Sequence, residues 1–362
     1  MRAKENEDQE KAVLLGIIEF SRDQESMEEL KDLAETAGAQ VVGVITQKRK
    51  GIDSAHYIGK GKLEELKTFI QNNEVDVVIV NDELSGSQIK NMEDFLDVKV
   101  VDRTCLILDI FASRARTRES MLQVELAQLK YRLPRLTGLG SQLSRLGGGI
   151  GTRGPGETKL ETDRRHIQNR IKSIERKLAK LERHRNLYRQ RRAKNRIPVV
   201  SIVGYTNAGK STLFNALAKA ESYVEDKLFA TLDTSARKLI LPSGMQAVLV
   251  DTVGFIRDLP HDLVEGFKST LDEVKYSDLL LHVIDITSSD VDEKIRVVEK
   301  VLSELEAINI PRINVFNKID LLESYPAANT KETVFVSAKN GIGLEALKEA
   351  IEGKLAEKYA ML

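Results

Sequence analysis

Apolar and polar positions follow three different rhythms along the chain. At 12–20, "AVLLGIIEF" is almost unbroken apolar, the mark of a strand buried on both faces. A helical spacing follows near 24–37, then the strand "VVGVITQ" at 41–47. A helix opens after "GKGK" (59–62) and runs to about 72, and "DVVIVND", a short helix and "VKVVD" come next. Strands alternating with helices predict a small parallel α/β domain over 1–110.

The rhythm then changes. Leu122, Leu126, Leu129, Leu133 and Leu136 are spaced 4, 3, 4, 3, and so are Ile167, Ile171, Ile174, Leu178 and Leu181. Both are heptad seams, and they predict two long helices packed antiparallel over 111–196. Between them the glycine-rich "TGLGSQLSRLGGGIGTRGPGETK" predicts a flexible loop over 137–158. From 197 to 362 the α/β rhythm returns. "IPVVSIVG", "DLLLHVID", "INVFNKID" and "VFVSA" read as strands, "KLILPSGMQAVLVDT" as a hairpin turning at Pro242-Ser243-Gly244, and "GLEALKEAIEGKLAEKYA" as a closing helix.

Composition adds a few exclusions. A chain of 362 residues suits two or three domains. One cysteine, Cys105, in the apolar "RTCLILDIF", excludes an internal disulfide framework and any multi-cysteine metal site, and reads as an inert buried thiol. The polar start "MRAKENEDQEKAV" lacks a signal peptide's apolar centre, and no apolar run reaches membrane-spanning length, so the cytoplasm is expected. Lys plus Arg and Asp plus Glu number 55 each, a balance that conceals a local asymmetry. From Arg164 to Arg196 there are 14 Lys/Arg against Glu175 and Glu182, and the preceding loop adds Arg145, Arg153 and Lys159. A net excess this large suits phosphate neutralisation. With few aromatics beside it, structured RNA backbone fits better than stacked bases. A solvated helix face and an anionic membrane surface are the competing readings. Glu157, Glu161 and Asp163 are expected to start the second helix, and the histidines show no ligand spacing.

The chemistry concentrates after residue 197. "GYTNAGKS" (204–211) fits G-x-x-x-x-G-K-[ST] between a predicted strand and a predicted helix, the setting of a P-loop. Gly204, Tyr205, Thr206, Asn207, Ala208 and Gly209 would wrap backbone N–H groups around phosphates, Lys210 would neutralise β/γ charge, and Ser211 would bind Mg²⁺. "DTVG" follows a strand. Asp251 would reach Mg²⁺ through water, Gly254 would offer its N–H to a γ-phosphate, and Thr252 and Val253 lie between them. In "LFATLDT", Thr231 would complete the Mg²⁺ shell, flanked by Phe229, Ala230, Leu232 and Asp233. In "NKID", Asp320 can accept both guanine N–H groups that adenine lacks. Asn317 would brace the loop and Lys318 lie along the base, with Ile319 between. In "SAK", Ala338 would offer its N–H to guanine O6, flanked by Ser337 and Lys339. Taken singly "SAK" and Thr231 are weak, but the five together and in this order specify a Mg²⁺-dependent GTPase binding GTP and GDP. Lys210, Thr231, Asn207 and Gly254 are its candidate catalytic groups.

With "HYIGKGKLEEL", "QVELAQLKYRLPRL", "GGGIGTRGPGETKLETDRR" and "DTVGFIRDLP" added to these motifs, nearly the whole chain resembles the HflX family of translational GTPases. The resemblance implies GTP-dependent association with the large ribosomal subunit, with rRNA meeting the basic helix 164–196 and loop 137–158. It further implies splitting, rescue or control of stalled or idle ribosomes under stress. Some members continue into a further C-terminal domain, whose contacts are not expected from a sequence ending soon after "SAK". A monomer is expected when free, with membrane association a minor alternative. The rival function is an RNA-binding or membrane-associated regulatory GTPase that does not act on ribosomes.

One residue stands out. Phe255 follows "DTVG", where Ras-type switches carry the glutamine that orients the attacking water. A hydrophobic residue there is what the resemblance implies, so water must be positioned otherwise. Asn207 could hold a K⁺ ion between the phosphates, or the ribosome could order the switches. Asn207 could equally be a packing residue.

Overall fold

The structure, a computed structural model, describes residues 9–20, 22–143, 155–194, 197–218, 228–229, 235–257, 273–324 and 329–360, with backbone alone at 137–143, 155–160, 188–194 and 359–360. It divides into two compact units, Met1–Ser113 with Leu122–Lys177, and Arg114–Met121 with Leu178–Leu362.

The first unit is built on a four-stranded parallel sheet in the order β2-β1-β3-β4, with β1 at Lys11–Ile18, β2 at Gln40–Lys48, β3 at Val77–Val80 and β4 at Lys99–Asp102. All four residues of β3 are buried, as a strand covered on both faces must be. Helices α1 (Arg22–Thr36), α2 (Lys60–Asn73), α3 (Gly86–Leu96) and α4 (Arg103–Arg114) make the connections. Ser85 and Gln88 form a reciprocal capping box that starts α3. Gly59 precedes α2 with no side-chain cap. Cys105 lies half-buried on α4 rather than fully buried, and burial pushes its thiol up to about 12. At the end of β4 the buried Asp102 accepts hydrogen bonds from Leu84 N, Cys105 N and the Tyr131 hydroxyl at 3.0, 2.8 and 2.7 Å. Tyr131 belongs to α5 (Arg118–Leu143), so one carboxylate fastens that helix to the sheet.

Helix α6 (Pro155–Lys194) follows. Arg170 reaches Glu125 of α5 through two nitrogens, at 2.6 and 2.8 Å, and Arg185 reaches Glu119 at 2.5 Å. The glycine-rich loop expected over 137–158 is shorter than that. Helix α5 runs through Gly138 and Gly140 to Leu143, and α6 begins at Pro155. Proline suits a first helical position. Residues 144–154 lie outside the described residues. Arg164, Arg165, Lys172, Arg176, Lys180 and Arg183 of α6 are exposed, whereas Ile174 is fully buried. None of the described helices is long and apolar enough to cross a membrane.

The second unit carries a six-stranded sheet in the order β10-β9-β8-β5-β7-β6. Its strands are β5 (Val199–Gly204), β6 (Ser235–Ile240), β7 (Gln246–Asp251), β8 (Leu279–Asp285), β9 (Arg312–Asn317) and β10 (Thr333–Phe335). Only β6 is antiparallel, because the predicted hairpin joins it to β7. Helices α7 (Lys210–Ala218), α8 (Val291–Glu304) and α9 (Leu344–Ala360) complete the described helices of this unit. Val200, Ile202, Leu249, Leu281, Val283, Ile313 and Val315 share a core with Leu347 and Ile351 of α9. The carboxyl ends of β5, β7, β9 and β10 therefore deliver the four described loops that bear the motifs, the position at which parallel α/β sheets bind ligands.

Candidate active site

The loop from β5 to α7 makes its turn through three positive-φ residues, Gly204 at 154°, Asn207 at 58° and Gly209 at 89°. Two of them must be glycine. A Cβ at Gly204 would sit 2.3 Å from the Val283 carbonyl, and one at Gly209 would sit 2.2 Å from Asn317 Nδ2. Asparagine tolerates the left-handed region, which explains the third. Lys210 opens α7. It is 6% exposed and donates to the Tyr205 carbonyl at 2.6 Å. Burial pushes its ammonium down to about 8, against the pull of the nearby Asp251 carboxylate. A buried cation in a ring of backbone is a site for an anion.

Asn317 joins two of the loops. Its Nδ2 donates to the Ala208 carbonyl at 2.9 Å, and its Oδ1 accepts from Ala338 N at 3.0 Å. The expected Ala338 N–H is therefore committed to Asn317 rather than free for a base. Ser337 Oγ donates to Asp320 Oδ1 at 2.6 Å and fixes that carboxylate. Lys318, at φ 69°, pairs with Asp285 at 2.7 Å. Burial alone would raise the Asp285 carboxyl, but hydrogen bonds from Lys318 and Thr287 hold it below its ordinary value. Asp285 was not legible in the sequence as a site residue, although "HVID" ends a strand just as "LVDT" does.

Asp251 at the end of β7 is 2% exposed, and Ser211 lies in the first turn of α7. One carboxylate and one hydroxyl make a hard oxygen donor pair suited to Mg²⁺. Among the described residues no group of three or more His, Cys, Asp or Glu could hold a metal by itself, so phosphate oxygens would supply the remaining ligands. Ala230, Thr231, Leu232 and Asp233 lie outside the described residues, and Phe229 is buried with φ 52°.

Three expected contacts are turned inward. Thr252 is fully buried and donates its hydroxyl to the Ile202 carbonyl at 2.7 Å, while Val253 and Ile319 are buried apolar side chains.

Phe255 is 1% exposed. It forms a parallel bridge with Tyr205, in which Phe255 N donates to the Gly204 carbonyl at 3.1 Å and Thr206 N donates to the Phe255 carbonyl at 2.8 Å. Two residues on, Arg257 N donates to the Tyr205 hydroxyl at 2.9 Å, and the Arg257 guanidinium meets Asp290 before α8 at 2.9 Å. The segment after Gly254 is thus stitched to the P-loop.

Comparison with known proteins accords with this geometry. Residues 24–112 match a family described as the GTP-binding GTPase N-terminal region, 114–192 its middle region, and 199–318 a 50S ribosome-binding GTPase family. GTPase HflX of Caldanaerobacter subterraneus subsp. tengcongensis is 72% identical over 348 residues, 96% of this chain and 81% of that protein. The chain belongs to the HflX family of GTPases. The Escherichia coli GTPase HflX is 45% identical over 97% of this chain and 84% of its own length. Among solved structures, a GTP-binding protein from Sulfolobus solfataricus in complex with GDP is 26% identical, covering 96% of this chain and 99% of its own, with a TM-score of 0.50. As a member of the HflX family the protein is a GTP hydrolase.

Proposed function

We propose that this HflX-family GTPase associates with the large ribosomal subunit when GTP is bound, leaves it after hydrolysis, and acts in splitting, rescue or control of stalled or idle ribosomes under stress. The observation that carries the nucleotide half is the Asn317 bridge. It ties the loop after β5 to the loop after β10 through one side chain, at 2.9 Å and 3.0 Å, which supports reading them as the phosphate-binding and base-reading loops of one site. The observation that carries the ribosomal half is the exposed basic face of α6, supported by the 50S ribosome-binding description of the family that matches 199–318. The cytoplasm, where ribosomes work, is the corresponding location.

In this reading Lys210 and the N–H groups of 204–209 bind the phosphates, and Asp320 selects guanine. Ser211 and Asp251, the latter through water, hold Mg²⁺, which supplies charge neutralisation at the transferring phosphoryl group. Thr231 is assigned the last protein ligand. Asn207 is exposed at the fourth P-loop position and free to meet a K⁺ ion, while its φ of 58° accounts for asparagine without one.

The test is GTP turnover with and without purified large subunits, in K⁺ and in Na⁺. Stimulation by large subunits is expected. Turnover that ignores large subunits but rises with K⁺ would remove the ribosome as activator and make Asn207 the centre of the mechanism. Salt-sensitive co-sedimentation with large subunits, rather than with free RNA or anionic vesicles, separates the ribosomal role from an RNA-binding or membrane-associated regulator.

A further inference from the structure

The loops that leave β8 and β9 are joined by one ion pair. Asp285 ends β8 and stands opposite Asn317, the end of β9, in the register of the two strands. Lys318 comes next, and its ammonium lies 2.7 Å from Asp285 Oδ2. The other carboxylate oxygen is already engaged. Thr287 donates to Asp285 Oδ1 from its backbone N–H at 3.0 Å and from its hydroxyl at 2.6 Å. Each oxygen therefore has its own partner, and Oδ2 is kept for the lysine.

The backbone at Lys318 is held on both sides. The Asn317 carbonyl accepts from Ile286 N at 3.2 Å, and Ile319 N donates to the Val336 carbonyl at 3.3 Å. Between these fixed peptide units Lys318 takes φ 69°, a left-handed value that residues with a Cβ rarely adopt. A lysine side chain is flexible and loses much rotamer freedom when it is ordered. Here the turn fixes its Cα and a half-buried carboxylate fixes its Nζ, so the methylenes between them are held at both ends. Two residues on, in the same loop, Ser337 fixes the Asp320 carboxylate.

We propose that Asp285 is a positioning residue of the nucleotide site, holding the Lys318 ammonium so that the methylene stem forms a fixed wall for the guanine that Asp320 reads. This rests on the reading of 317–320 as the base-binding loop. Asp285 itself touches no nucleotide atom. It acts through Lys318, whose ordering is completed before the base arrives and so does not weigh on binding. The carboxylate also neutralises the ammonium. Asparagine in its place can still accept from Thr287 but brings no charge to the lysine, and a charge-assisted bond is roughly twice as strong as a neutral one.

The test is a double-mutant cycle on GDP affinity in the full chain, with Asp285→Asn, Lys318→Met and the two combined. Lys318→Met keeps most of the apolar stem and removes the ammonium. Each single variant is expected to weaken GDP binding by about fivefold to thirtyfold, within the coupling range of residues in direct contact. The combined variant should bind within about twofold of either single one, because both remove the same tether. GDP affinity within about twofold of the original in Asp285→Asn would overturn the proposal. So would multiplication of the two losses in the combined variant, because a merely structural aspartate costs the same whether or not the lysine is present. Lys318→Met leaves the turn between Asp285 and Thr287 intact, and it carries the test alone if Asp285→Asn does not unfold cooperatively in urea: unaltered GDP affinity in Lys318→Met overturns the proposal by itself. Failure of the unaltered protein to prefer GDP over ADP would sink the base-binding reading of the loop, and the proposal with it.

Discussion

Replacing Asn317 by alanine tests whether the two nucleotide-binding loops share a frame. The side chain is 3% exposed and makes two hydrogen bonds, to the Ala208 carbonyl at 2.9 Å and from the Ala338 amide at 3.0 Å. Alanine removes both and leaves a backbone acceptor and a backbone donor in the interior without partners. Each such group costs about 1–3 kcal/mol, and partial entry of water lowers the pair to about 2–4 kcal/mol. Urea unfolding of the nucleotide-free protein should show that loss as a lower midpoint at unchanged slope. GDP affinity should fall too, by about tenfold for every 1.4 kcal/mol that binding must spend on re-aligning the loops. Asn317→Asp refines the result. It keeps the acceptor for Ala338 and turns an oxygen toward the Ala208 carbonyl, so it should damage phosphate binding at least as severely as alanine does. An alanine variant with unfolding free energy within about 0.5 kcal/mol of the original and unaltered GDP affinity would refute the shared frame.

Three further outcomes are expected. Gly254→Ala places a methyl 2.8 Å from Thr206 Cγ2 and 3.0 Å from Lys210 Nζ, so fluorescence titration should show weaker binding of a non-hydrolysable GTP analogue and little change for GDP. His282 on β8 is 2% exposed, and burial, reinforced by the Arg312 charge, pushes its imidazole from 6.5 down to about 4; the unfolded chain therefore takes up the proton first, and about 3 kcal/mol of stability present above pH 6.5 should drain away between pH 6.5 and 4, a slope that His282→Asn should lack in urea unfolding. Changing the exposed Arg164, Arg165, Lys172 and Arg176 together to glutamine should weaken co-sedimentation with large subunits and flatten its dependence on log salt by about 3, as expected for lost phosphate contacts; an unchanged salt slope would assign the basic face to solvation alone.

What was legible in the sequence was what local constraint determines. Strands β1, β3, β5 and β8 show as apolar runs because both of their faces are covered, and the P-loop shows because Gly204 and Gly209 leave no room for a Cβ. The ends of the long helices were misjudged because glycine was weighed alone. Backbone propensity at Gly138 and Gly140 does not end the first helix, and Pro155 suits the first position of the second. Within the site, "DTVG" and "NKID" read as continuous contact segments, but Thr252 and Val253 are buried beside Asp251, and Thr252 spends its hydroxyl on the Ile202 carbonyl of the neighbouring strand. Least legible were pairings set by distance along the chain, such as Lys318 with Asp285 and Arg257 with Asp290, which depend on strand order rather than spacing. Phe255 belongs to that class. As a letter it marks the loss of a glutamine. In the fold it is a buried bridge partner of Tyr205, and the segment that a Ras-type switch would keep mobile is tied down by it.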